Sequence, residues 1–236
     1  MQTVLVTGAN RGIGLEFTRQ FLHRGCRVVA TSRTPEGAPE LNQLRRMVPD
    51  RLNILPLDIS REDSIAALTP ALSSLIDSIN VLINNAGILV PGERFGHINS
   101  RNLIDSFAVN AAGAFLLTQA LEKFLTRASS TKVINISSIL GSIACTTEFH
   151  PEFYVPSYSI SKTALNMVTR LLSIELSKKG VIVVSFHPGW VKTEMGGAQA
   201  TETPQESVSG MLNVLDRISL AESGKFFNYK GEELPW

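Results

Sequence analysis

Thr3-Val4-Leu5-Val6-Thr7-Gly8-Ala9-Asn10-Arg11-Gly12-Ile13-Gly14 is the stretch that organises the rest of the chain. Its first four residues are β-branched or apolar on consecutive positions, as in a strand covered on both faces. Glycines at 8, 12 and 14 then separate that strand from a helical pattern. Gly8 permits a tight exit, Gly12 lets backbone approach a pyrophosphate, and Gly14 permits close helix–strand contact. The helix start offers free N–H groups and a partial positive charge to the phosphate. Tight turns also need glycine for local reasons, so the loop alone is weak evidence. Its place between a first strand and a first helix is what points to a dinucleotide, with Asn10, Arg11 and Ile13 in the same turn.

Outward from this stretch the alternation continues. Residues 27–31, 52–57, 81–83, 132–136, 181–186 and 225–227 read as further strands. Ser60-Arg61-Glu62-Asp63 reads as a capping box, and Thr203-Pro204-Gln205-Glu206 as a better one. Two longer helical stretches, residues 100–124 and 157–178, are apolar around most of their circumference and should be covered on more than one side. The expectation is one α/β domain over residues 1–236. It would be a Rossmann fold with a doubly wound, mostly parallel seven-stranded sheet and helices on both faces.

Composition fits a packed domain: 44% of the 236 residues are hydrophobic and 18% charged, against roughly 25% charged in an ordinary soluble domain. Disorder is excluded, and some surface is available for burial against copies of the chain. Twenty-two basic and 21 acidic residues leave a net charge of +1. That argues against a phosphate-neutralising nucleic-acid surface and a polybasic membrane patch. Cys26 and Cys145 read as reduced thiols. His23, His97, His150 and His187 show no metal-ligand spacing with them, and no metal site is expected. No apolar run approaches the roughly 18 residues of a membrane span. Met1-Gln2 leads straight into the first strand, leaving no room for a targeting peptide. A cytoplasmic protein with neither membrane nor nucleic-acid partner is expected.

The second strand ends at Ser32-Arg33, where an NAD site usually places an acidic residue for the ribose hydroxyls. Serine can donate to a 2′-phosphate and arginine can pair with it, which favours NADP(H). Arg11 could approach from the other side. The alternative is two solvated surface arginines.

Chemistry enters past the middle of the chain. Ile134-Asn135-Ile136-Ser137-Ser138 ends the fifth strand, and Tyr158-Ser159-Ile160-Ser161-Lys162 opens a long helix. Residues four apart share a helix face, so Tyr158 and Lys162 can address one ligand. A phenol with a pKa near ~10 is a poor proton donor or base at neutral pH unless a neighbouring cation stabilises its phenolate. Lys162 could supply that charge, and Ser138 could hydrogen-bond a substrate carbonyl.

With these elements the chain resembles the short-chain dehydrogenases/reductases along nearly its whole length. Asp58-Ile59, Asn84-Asn85-Ala86-Gly87, Asn110 and His187-Pro188-Gly189-Trp190-Val191-Lys192-Thr193 follow in that family's order. The resemblance implies Tyr158 as general acid, Lys162 lowering its pKa and holding the nicotinamide ribose, and Ser138 orienting a small-molecule carbonyl. Asn110 would hold a proton-relaying water, although an asparagine can also simply satisfy backbone at a helix irregularity. Asp58 and Ile59 would flank the adenine, Asn85 would lie along the cofactor, and Pro188, Val191 and Thr193 would meet the nicotinamide end. Within the family, TGANRGIG, Ala30-Thr31-Ser32-Arg33 and the ending GKFFNYKGEELPW look most like sniffer-type carbonyl reductases and the bacterial C-factor. That implies an NADPH-dependent reductase of aldehydes, ketones or quinones. The alternative is a cofactor-binding signalling protein whose turnover is incidental. Dimers or tetramers built on the two long helices are implied, though monomeric carbonyl reductases are also known.

Substrate loops are expected at about 139–157 and 190–205. Twenty positions separate Ser138 from Tyr158, more than the family's usual dozen or so. Phe149, His150, Phe153 and Tyr154 in the extra segment would form either an apolar wall over the substrate or a surface loop. Residues 194–205 read as a mobile flap. Trp190 and Met195 would line the pocket or belong to the core.

Overall fold

A computed structural model describes residues 1–146 and 154–236. Among them seven strands form one sheet: β1 (Thr3–Val6), β2 (Arg27–Ser32), β3 (Leu52–Pro56), β4 (Val81–Asn84), β5 (Thr131–Ile136), β6 (Val181–His187) and β7 (Phe226–Asn228). Their order is β3-β2-β1-β4-β5-β6-β7 and every pairing is parallel. The expected strands are all present with ends shifted by about one residue, and the sheet is wholly rather than mostly parallel.

The consecutive apolar runs have a direct cause. Side chains alternate across a strand, and both faces of this sheet are covered. Val4, Val6, Val28, Ala30, Ile83, Ile134 and Val184 pack on one side with α1 (Gly12–His23), α2 (Pro39–Met47) and α8 (Pro204–Leu215). Leu5, Val29, Leu82, Val133 and Val183 pack on the other. There they meet α3 (Glu62–Ser73), α5 (Gly113–Ala120), α6 (Glu122–Leu125) and α7 (Pro156–Ser177). Strand order reverses between β1 and β4, so the crevice at their carboxyl ends is where a ligand belongs.

Three local expectations are corrected. Ser60 does not cap α3: its hydroxyl donates to Asp58 Oδ1 at 2.6 Å, and Arg61 occupies the cap position with no side-chain cap bond among the described residues. The Thr203 box is present in full, with Glu206 returning the bond, so Gln205 belongs to α8 rather than to the flap. The long helix expected over residues 100–124 is divided. It consists of α4 (Ser100–Phe107), a π turn at Ala108–Ala112, α5 and then α6. Its segment Ser100–Ala120 is also long and apolar enough, by length and composition, to cross a membrane. That corrects the expectation that no run reaches that length. In this fold Ala111, Ala114 and Leu117 of the segment are buried inside the domain.

Candidate active site

The cofactor half of the site is built on the first loop. Gly8 and Gly12 have φ of +61° and +56°, the left-handed region that favours glycine. Gly14 lies so close to the strand exit that a Cβ would come within 2.3 Å of the Gly8 carbonyl oxygen. The first intrahelical bond of α1 runs from Leu15 N to Arg11 O, and no side chain among the described residues caps the helix. The N–H groups of Gly12, Ile13 and Gly14 are thereby left for an anion. Thr7, which the sequence reading passed over, locks the loop in place. Its buried hydroxyl donates to Ile83 O and accepts from Asn85 N and Ala86 N. Asn85 Nδ2 donates to Thr7 O and Gly8 O at 2.9 and 3.1 Å, so this side chain braces the loop.

At the end of β2, Ser32 is buried and its Oγ has no hydrogen-bond partner among the described residues. Arg33 beside it is exposed. An unsatisfied buried hydroxyl costs free energy, and a phosphate oxygen would satisfy it next to a guanidinium. These residues fit the 2′-phosphate of NADP(H). Arg11 does not join them: its guanidinium pairs with Glu194 of the flap. Asp58 lies after β3, its carboxylate accepting from Ser60. Ile59 is 6% exposed and packs in the core on the α3 side of the sheet. Asn10 sits in the turn before α1. Thr193 packs against the glycine loop, 3.2 Å from where a Gly12 Cβ would lie. Pro188 and Val191 are buried, their carbonyls accepting from Ser207 Oγ and Thr193 Oγ1.

The chemical half lies on β5 and α7. Ser138 follows β5, is 7% exposed, and its Oγ accepts from Leu140 N at 3.2 Å. Its side chain lies close enough to the Tyr158 phenol to oppose the rise in that group's pKa. Lys162, one helical turn on, is 4% exposed. Its Nζ donates to Ile136 O at 2.7 Å and stands 5.4 Å from the centre of the Tyr158 ring. The three groups expected to act together are in one place.

Burial acts on both ionisable groups. Desolvation pushes Tyr158 up to about 12, with Ser138 opposing, and pushes Lys162 down to about 7. Both sit in a low-dielectric pocket, which favours the neutral phenol and the neutral amine alike. Burial also holds His187 neutral, with its pKa down to about 4 against the pull of Glu202.

Asn110 falls inside the π turn, where helices often carry function. Its Oδ1 accepts from Ile88 N at 2.7 Å, and its Nδ2 donates to Ile88 O and Ser161 Oγ, both at 2.8 Å. The side chain thus satisfies backbone at the irregularity and ties the loop after β4 to α7. A second tie was invisible in the sequence. Glu93, in that loop and 8% exposed, accepts from Ser157 N at 2.9 Å and from Ser157 Oγ at 2.5 Å. A lone glutamate in a Pro-Gly-rich loop carries no periodic signal, and only folding brings it to the start of α7.

Of the two substrate loops, Phe149, His150 and Phe153 lie outside the described residues; Tyr154 is exposed. The segment after β6 is folded on itself: Trp190 Nε1 donates to Gly196 O, Lys192 N to Glu202 O, and Gly197 N to Thr193 O. Trp190 and Met195 are both partly exposed, which places neither in the core. Among the described residues there is no group of three His, Cys, Asp or Glu side chains that could hold a metal.

A seven-stranded parallel Rossmann sheet with a serine, a tyrosine and a lysine gathered at its carboxyl edge defines a class of nucleotide-dependent oxidoreductase. The chain belongs to the short-chain dehydrogenase family, whose model matches residues 2–204. It superimposes on an NADPH-bound carbonyl reductase from chicken fatty liver with a TM-score of 0.95 at 37% identity, covering 100% of this chain and 99% of that one. The carbonyl reductase Sniffer of D. melanogaster gives 0.93 at 32% identity, with 100% of each chain covered. The C-signal protein of Myxococcus xanthus is 38% identical over 158 residues, which are 67% of this chain and 93% of that protein.

Proposed function

We propose that this oxidoreductase is an NADPH-dependent carbonyl reductase acting on aldehydes, ketones or quinones. The observation that carries the reading is the gathering of Ser138, Tyr158 and Lys162, with Ser138 close enough to influence the phenol and Lys162 Nζ 5.4 Å from the centre of the same ring. NADP(H) as the cofactor is supported by the unpartnered Ser32 hydroxyl next to Arg33, by the uncapped start of α1, and by likeness to a reductase with NADPH bound.

When bound, the cofactor supplies the hydride. Ser138 donates a hydrogen bond to the substrate carbonyl oxygen and polarises it. Tyr158 gives its phenolic proton to that oxygen as charge develops. Lys162 orients the nicotinamide ribose and, once cofactor charge joins the pocket, assists the phenol. Asn110 takes part in the relay from Lys162 through its backbone, because its side-chain amide is committed to Ile88 and Ser161. The exposed apolar residues Ile104 and Phe107 on α4 and Met167, Leu171 and Ile174 on α7 support a homo-oligomer built on those two helices. A cytoplasmic location remains part of the proposal.

The test is NADPH oxidation by the purified protein against a panel of aldehydes, ketones and quinones. Tyr158→Phe should lower kcat by about 10²- to 10⁴-fold while NADPH still binds. Tight NADPH binding with no turnover of any carbonyl would refute the reading. That outcome would favour the second one, a cofactor-binding signalling protein, which the similarity to the C-signal protein supports.

A further inference from the structure

Tyr158, Lys162 and Asn166 follow one another at intervals of four on α7, so the three side chains share a helix face. The first two belong to the chemistry proposed above; the third is 4% exposed and has no role in it. Its Oδ1 accepts from Ser137 Oγ at 2.6 Å and from Ser185 Oγ at 3.4 Å. Its Nδ2 donates to the Gly141 carbonyl at 3.1 Å. Ser137 and Gly141 stand on either side of Ser138, so a single amide grips the turn before and after the serine.

The turn rests directly on the helix. A Cβ at Gly141 would lie 2.7 Å from the Lys162 carbonyl carbon, and Thr163 Oγ1 adds a 3.0 Å bond to the Gly141 oxygen. The amide's orientation is not free. The Gly141 carbonyl can only accept, so the NH₂ must face it, while the two serine hydroxyls can rotate to donate to Oδ1. Aspartate would fill the same volume but set a carboxylate oxygen against a carbonyl oxygen.

We infer that Asn166 is a positioning residue for the carbonyl-orienting serine. It clamps Ser137 and Gly141 onto the helix that carries Tyr158 and Lys162, and so holds Ser138 beside Tyr158. The inference rests on the roles proposed for Ser138 and Tyr158. Asn166 acts through Ser138 and touches neither substrate nor cofactor. The groove for the nucleotide is built mainly on β1, β2 and α1, so cofactor affinity should be independent of it.

The experiment compares Asn166→Asp and Asn166→Leu with the wild type and with Tyr158→Phe. It reads NADPH affinity by fluorescence, kcat and carbonyl KM over a pH range, and melting temperature. Both Asn166 variants should lose about 10- to 100-fold in kcat, with NADPH affinity kept within about twofold. Asn166→Asp should regain rate as pH falls, because a protonated carboxyl again donates to the Gly141 oxygen; Asn166→Leu should not. A folded variant with wild-type kcat, or one that loses NADPH affinity in step with kcat, overturns the inference. If the wild type reduces no carbonyl, the proposed function fails, and crystal structures of the variants decide the role of Asn166 separately. Displacement of Ser138 by about 1 Å over an unmoved α7 supports it; an unmoved Ser138 overturns it.

Discussion

Replacing Lys162 by methionine should change how the stability of the cofactor-free protein depends on pH. Burial lowers this amine from 10.5 to about 7 in the folded chain. Between those values the unfolded chain binds a proton that the native protein does not, so stability rises with pH across the window and falls as pH drops toward 7. One proton is worth about 1.4 kcal/mol per pH unit. From pH ~7.5 to ~9 the difference in proton binding is nearly complete, giving about 2 kcal/mol. For a chain of this size that corresponds to roughly 4–8 °C in Tm. Tyr158 acts in the opposite sense, since a raised phenol pKa costs stability only above about pH 10. The raised pKa of Cys26 is common to both proteins and cancels in their difference. Scanning calorimetry of wild type and Lys162→Met, both stripped of nucleotide, should show the wild-type Tm gaining on the variant by that amount. Curves that stay parallel from pH ~7.5 to ~9 would mean that Lys162 is already charged in its pocket, and the burial argument would be wrong.

Three other outcomes follow from the same geometry. Arg33→Asp should lower the preference for NADPH over NADH by about 10- to 100-fold, the worth of a charge-assisted phosphate contact; unchanged cofactor kinetics would remove Arg33 from the 2′-phosphate site. Gly14→Ala should abolish NADPH binding and lower Tm, because the new Cβ lies 2.3 Å from Gly8 O and 2.5 Å from Asn85 Nδ2; normal fluorescence titration would contradict that packing. Paired Phe107→Glu and Leu171→Glu substitutions should reduce the mass seen by light scattering to that of a monomer, and an unaltered oligomer would place the interface elsewhere.

Strand positions were legible because a parallel sheet buried on both faces leaves consecutive apolar runs, as at Val4, Leu5 and Val6. Their ends were off by about a residue, since the last pairing depends on the neighbouring strand. The Thr203 box was legible because its three signals lie within four residues. The Ser60 box failed because Asp58 competes for the same hydroxyl at 2.6 Å. The break in the long helix at Ala108–Ala112 left Asn110 as its one mark in the sequence. The partners of that side chain, Ile88 and Ser161, are 22 and 51 residues away in the chain.

The sequence by itself determined the doubly wound architecture and singled out the glycine turn, Ser138, Tyr158 and Lys162 as the candidate site. Each of these is written in local spacing: a strand, a glycine turn, residues four apart on a helix. Tertiary structure alone decided how they are held and charged. It turned Arg11 toward Glu194, left the Ser32 hydroxyl without a partner among the described residues, set Glu93 against Ser157, and fastened the Ser138 turn to Asn166. It also pushed the phenol and the amine toward their neutral forms. Desolvation and hydrogen bonding depend on what surrounds an atom in space, and those neighbours come from distant parts of the chain.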